Sequence, residues 1–229
     1  MNCYFSESWV DFPTYCEGPI MNFIAFKGPQ DKRYNASYNA DSVFTPEIAM
    51  ERAKSFKIKN LDTGELEEAK IGLWIDLTNV VDGKRYRSSV ITSKGVEFAK
   101  ILCKGFNVAP TLEQYQIFKN LCSNFLRQNP SGAIGVHCRH GCNRTGFLIV
   151  SYLVDVFGYK LEEAIKEFSL KRPPGIYKRL YIEELYRIWR KDRIEMVILP
   201  PNPLWNIKKE QKTETRTLKK YQMVKNTMI

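Results

Sequence analysis

A chain of 229 residues is long enough for one well-buried domain with a short appendage, and too short for two ordinary catalytic domains. Hydrophobic residues at 44% and aromatics at 13% exclude a disordered chain, and the longest apolar run, Phe147 to Val154, is broken by Ser151 and falls short of the roughly 20 residues that span a bilayer. The net charge of +10 favours anionic partners such as nucleic acid or phosphates.

In chain order, Met1-Asn2-Cys3-Tyr4 has neither a basic nor an apolar leader region, so secretion is not expected. Thr45-Pro46-Glu47 reads as an N-cap with proline at the first helical position and opens a helix to about Phe56. Ile71 to Leu77 is a nearly continuous apolar run, as a strand covered on both faces requires. A second strand is predicted over Phe98 to Leu102. Thr111 and Gln114 form a capping box, and Tyr115, Phe118, Leu121, Cys122, Phe125 and Leu126 then recur at helical spacing. Ala133 to His137 predicts a third buried strand. Phe147 to Phe157 is apolar nearly all round, which predicts a central helix ended by Gly158. Further helices are expected over Leu161 to Leu170, stopped by Pro173-Pro174, and over Tyr181 to Arg190.

Strands alternating with helices imply an α/β fold with a central, mainly parallel sheet flanked by helices. Leu199-Pro200-Pro201-Asn202-Pro203 is read as the end of the domain, which gives a domain over 1–205 and a basic tail over 206–229. That tail holds seven basic and two acidic residues, a net charge of +5. Its Tyr221 lies among Lys219, Lys220 and Lys225, a pattern suited to an RNA-binding arm or to a solvated terminus.

The six cysteines lack the dense spacing of a disulfide framework, so a reducing compartment is expected. Two of them fall in the segment with the strongest chemical signal, Val136-His137-Cys138-Arg139-His140-Gly141-Cys142-Asn143-Arg144-Thr145-Gly146. A buried strand precedes it and a buried helix follows. Such a loop turns successive backbone N–H groups toward one point and adds the positive end of a helix dipole, which makes a cradle for a tetrahedral anion. Cys138 at its start is a nucleophile whose thiolate the cradle stabilises. Arg144 can grip two phosphoryl oxygens with its planar fork, and Thr145 offers a hydroxyl to the sulfur. Four candidate zinc ligands at 137, 138, 140 and 142 are too crowded to surround one ion, so no metal is expected. His137 and His140 are the protein's two histidines, so protease chemistry has no other base to use.

The Cys-x5-Arg-Thr pattern is the signature of the cysteine-dependent phosphatases. The full 136–146 segment resembles the RNA 5′-triphosphatase domain of metazoan mRNA capping enzymes. So do Ile75-Asp76-Leu77-Thr78-Asn79, Cys103-Lys104-Gly105 and Arg172-Pro173-Pro174-Gly175-Ile176-Tyr177-Lys178, with looser likeness at Ser8-Trp9-Val10 and Phe26-Lys27. Arg139 stands where that family usually has threonine, and Cys142 where it has a bulky apolar residue. No nucleotidyl-lysine motif is present, so capping would need another protein.

The resemblance implies a dual-specificity-phosphatase-like fold and a two-step hydrolysis that uses no cofactor, with Cys138, Arg144, Thr145 and Asp76 catalytic. His137, Arg139, His140, Gly141, Cys142, Asn143 and Gly146 are expected to line the phosphate site. Lys104, Arg172 and Lys178 are candidates for outer phosphates. The implied substrate is the RNA 5′ end and the implied partner a separate RNA guanylyltransferase, for a nuclear monomer without membrane association. The stretch 103–110 has no carboxylate to protonate a phenolate, which favours a phosphoanhydride over a phosphotyrosine. A dual-specificity protein or phosphoinositide phosphatase is the enzymatic alternative, and a non-catalytic RNA-binding module is the alternative of another class.

Overall fold

The computed structural model describes residues 7–10, 12–37 and 42–190. The domain end at 199–203 and the basic tail at 206–229 lie outside the described residues. The elements in chain order are α1 (Glu7–Val10), β1 (Phe23–Lys27), a 3-10 segment (Lys32–Ser37), α2 (Pro46–Ala53), β2 (Lys57–Lys59), β3 (Leu66–Glu68) and β4 (Lys70–Thr78). They continue with α3 (Ser89–Thr92), β5 (Glu97–Cys103), α4 (Leu112–Gln128), β6 (Gly132–Cys138), α5 (Asn143–Asp155), α6 (Leu161–Lys171) and α7 (Arg179–Trp189).

Four strands form a parallel sheet in the order β1-β6-β4-β5, and β2 and β3 make a separate antiparallel pair. Every residue of β1 is buried, as is nearly every residue of β6. Successive strand residues point to opposite faces, so the sheet is covered on both. On β1, Phe23 stacks on Phe118 of α4 and meets Tyr152 of α5 edge-on, whereas Phe26, three residues on, packs against Tyr15, Phe44 and Trp74. The expected α/β architecture is present, with α5 as its central helix: α4, α6 and α7 all pack against it.

Local signals set several boundaries. Thr45 caps α2 by accepting from the Ile48 amide, and the predicted continuation to Phe56 gives way to turns after Ala53 because β2 begins at Lys57. Both hydrogen bonds of the capping box at Thr111 and Gln114 are made. The central helix starts at Asn143, four residues before its apolar run, because its first turn completes the anion loop. Strand β1 has no counterpart among the predicted elements. Its four-residue apolar run, Phe23 to Phe26, followed by Lys27 and Gly28-Pro29, is long enough for a covered strand.

The N-terminal segment is tied to the sheet's active edge. Lys27 at the end of β1 is buried; its Nζ lies 3.9 Å from the Trp9 ring centre and donates to the carbonyls of Trp9 and Phe12, both at 3.0 Å. Trp9 Nε1 donates to Gly28 O at 3.1 Å, and the Gly28 amide donates to Arg139 O at 3.1 Å. The two loosely matching segments, Trp9-Val10 and Phe26-Lys27, therefore brace the loop that carries Cys138.

Candidate active site

Cys138 is the last residue of β6 and Asn143 the first of α5, so the loop between them sits at the carboxyl edge of a parallel sheet and under a helix N-terminus. Gly141 makes the loop tight enough. Its φ is +71°, and a Cβ there would lie 2.2 Å from Phe26 O. The Cys138 sulfur is buried. Burial alone would raise its pKa, but the Arg144 guanidinium, the Thr145 hydroxyl and amide and the Gly141 amide outweigh it and bring the thiol to about 7. Thr145 Oγ1 is itself fully buried with no oxygen or nitrogen partner, so its dipole is available to the sulfur.

Arg144 is held from outside the loop. One terminal nitrogen donates to Leu77 O at 3.1 Å and to Cys103 O at 2.9 Å, at the ends of β4 and β5. Gly105, with φ +78°, lets the next segment pass over it. A Cβ at that position would lie 2.9 Å from the Arg144 central carbon.

His137 lies beneath the cradle, not in it. It is completely buried, and burial brings its pKa down to about 4, so it is neutral. Trp74 Nε1 can only donate and does so to Tyr86 OH at 2.9 Å; Tyr86 OH then meets His137 Nε2 at 2.6 Å. Cys138 O can only accept, so the proton on His137 sits on Nδ1, 3.1 Å away. This chain of donors orients the Cys138 backbone. The expectation that His137 contacts phosphate is corrected accordingly.

Arg172 is corrected in the same way. It is fully buried and donates to four carbonyls: Tyr15 at 2.7 Å, Pro13 at 2.8 Å, His140 at 2.7 Å and Gly141 at 3.3 Å. Those contacts turn the loop's carbonyls away from the anion site, so the guanidinium clamps the cradle's back and does not reach outer phosphates. Cys142 is buried behind the loop, its thiol pushed up to about 12 by burial and donating to His140 O. It packs with Phe12 and Tyr177 and does not line the substrate site.

His140 stacks on Phe12 with ring centres 4.7 Å apart and meets Tyr177 OH at 3.2 Å. Burial first, then Arg139, Arg144 and Arg85, hold its pKa far below the ordinary value, so it adds no charge. Asn143 accepts from the Lys178 amide at 2.9 Å and joins the cradle to the 172–178 segment. Gly146 packs in α5 against Phe168 and Ile176, in the turn that follows the loop.

Asp76 is committed elsewhere. Its carboxylate lies 2.5 Å from Lys100 Nζ, accepts from the Thr78 amide at 2.7 Å and stands 3.8 Å from His137 Nε2. Burial would raise its pKa, but these neighbours together hold it below the usual carboxylate range. An anion so fixed at neutral pH has no proton to give, and its geometry is that of a brace between strands. Lys104 is exposed next to Gly105, and Lys178 Nζ donates to Phe106 O at 2.6 Å and to Asn107 Oδ1 at 3.3 Å, so it anchors the rim.

The sequence reading missed Arg85 and Tyr86. They lie beyond the carboxyl end of β4, where loops of parallel sheets build sites, and that position was the available signal. Arg85 is brought down to about 10 by burial first and then by Arg139 and Arg144, and Arg139 is lowered by burial and by Arg144. Three guanidinium groups thus lie within electrostatic reach of one another, and that of Arg144 acts on the Cys138 sulfur.

The family model for the dual specificity phosphatase catalytic domain matches residues 57–191. The mRNA-capping enzyme of Danio rerio is 35% identical over 197 residues, which cover 86% of this chain and 31% of that protein. The RNA/RNP complex-1-interacting phosphatase homolog of Caenorhabditis elegans is 32% identical over 174 residues, covering 75% of this chain and 70% of that protein. The chain therefore spans about a third of the capping enzyme it matches. Among solved structures, Tk-PTP in a G95A mutant form superposes with a TM-score of 0.54 at 19% identity, over 77% of this chain and 95% of that one, a likeness of fold.

Proposed function

Because the chain belongs to the dual specificity phosphatase catalytic-domain family, and so to the cysteine-dependent phosphatase hydrolases, we propose that it removes the γ-phosphate from triphosphate-ended RNA. The observation that carries this reading is the cluster of Arg85, Arg139 and Arg144. One planar guanidinium suffices to hold a monoester phosphate. Three suit a chain of phosphates bearing several charges.

The chemistry proceeds in two displacements. The Cys138 thiolate attacks the γ-phosphorus in line, an S–P bond forms, and the bond from phosphorus to the bridging oxygen breaks with its electrons leaving on the β-phosphate. Water then attacks the cysteinyl phosphate, the S–P bond breaks, orthophosphate departs and the thiolate is restored. Arg144 and the loop amides hold the equatorial oxygens through both steps. A phenolate leaving group has a pKa of about 10 and needs an acid, whereas a phosphate leaving group has a pKa near 6. The rim segment 103–110 carries no carboxylate and Asp76 is held as an anion, which suits the second kind of leaving group. A nuclear site of action and a separate guanylyltransferase that takes up the diphosphate end belong to the same reading.

The test is direct. The full chain should release γ-phosphate from triphosphate-ended RNA with a kcat/KM well above that for a phosphotyrosine peptide or a phosphoinositide. The reverse order would make it a protein or lipid phosphatase, and anion binding without turnover would make it a binding module.

A further inference from the structure

Phe106 is the most exposed large hydrophobic residue described, at 80%, and it stands on the rim of the anion site. Its backbone is in the left-handed region, with φ of 56°, a conformation that bulky side chains rarely adopt. Neighbouring groups hold it there. Lys178 Nζ donates to Phe106 O at 2.6 Å, Tyr181 OH reaches the same oxygen at 3.4 Å and Val108 O at 2.8 Å, and the Val108 amide donates to Gly105 O at 3.1 Å. The preceding residue, Gly105, lies against the Arg144 guanidinium, which ties the ring's position to the phosphate grip. An unfavourable backbone conformation, fixed by four side-chain and main-chain bonds, thus presents an aromatic ring to solvent beside the proposed phosphate site. Such a combination is found where function compensates for the cost.

We propose that Phe106 is a stacking platform for a nucleobase of the substrate, next to the triphosphate. The inference rests on the triphosphate reading above and deepens it, since it makes the site select a nucleotide chain over a bare polyphosphate. The chemistry fits. Every base has a flat π-face, stacking needs no sequence, and Lys104 and Lys178 flank the platform with positive charge for the sugar–phosphate backbone.

The experiment compares a triphosphate-ended dinucleotide with inorganic tripolyphosphate on the full-length wild type and on Phe106→Ala, Phe106→Leu and Phe106→Trp. Loss of one base–aromatic stack should raise the KM ratio of dinucleotide to tripolyphosphate about 5- to 150-fold in the alanine and leucine variants, with kcat changed much less, and the tryptophan variant should keep the wild-type ratio. An unchanged ratio in Phe106→Ala, or a leucine variant that behaves as wild type, would overturn the platform while leaving triphosphate hydrolysis standing. Failure of the wild type to release phosphate from the dinucleotide would overturn the functional reading and the platform with it.

Discussion

Replacing Arg172 separates a structural clamp from a substrate contact. The side chain donates to four carbonyls, at positions 13, 15, 140 and 141, and is fully buried. In Arg172→Met those oxygens lose the Arg172 donor, at about 1–3 kcal/mol for each one left buried and unsatisfied. Removing a buried cation also relieves its desolvation, which offsets part of that loss. A net destabilisation of about 3–5 kcal/mol follows, a large share of the roughly 5–15 kcal/mol that holds a domain of this kind together. For a chain of this length that is a fall in Tm of about 6–20 °C. Two of the freed carbonyls belong to the anion loop, so kcat for a small aryl phosphate should fall as well. Arg172→Lys, which keeps the charge but not the fork, should fall between the two. Thermal unfolding followed by circular dichroism, with phosphate-ester kinetics well below the transition, measures both effects. An unchanged Tm with a raised KM would refute the clamp and return Arg172 to the substrate.

Two further outcomes follow from the same geometry. Cys138 is acidic because Arg144, Thr145 and the loop amides outweigh burial, so its thiolate fraction rises as pH rises through about 7. Its alkylation by iodoacetamide, read by mass spectrometry, should have its midpoint there, and in Arg144→Gln the midpoint should move to higher pH because burial is then less opposed. In Gly141→Ala the new methyl would stand 2.2 Å from Phe26 O at a φ of +71°. The loop must shift, at about 1–3 kcal/mol of stability, and misplacement of the cradle by about 1 Å should lower kcat on the order of 10²-fold, measurable by steady-state phosphate release.

The strand–loop–helix geometry around Cys138 was legible because its parts are local. Cys138, the loop amides, Arg144 and the helix N-terminus are contiguous in the chain, and strand, tight turn and buried helix each have their own sequence signal. The capping box at Thr111 was legible for the same reason. What those residues touch across the sheet was not. Asp76 looked like a site carboxylate, yet β4 and β5 pair in a register that sets it beside Lys100, and β4 and β6 in one that sets it beside His137. Register and strand order are long-range facts, and they turned a candidate acid into a brace. Arg85, Tyr86, Phe12 and Tyr177 reach the loop from separate segments of the chain, and no periodicity marks them. The clearest case is Arg172. Its motif resembled a phosphate contact in sequence, but only the folded chain places it behind the loop, where four carbonyls rather than a phosphate need its donors. The sequence by itself determined which atoms can do chemistry, because that depends on residue type and local backbone. The tertiary structure decided which charges face the substrate and which hold the cradle, because that depends on what lies on each side of a loop only a few ångströms thick.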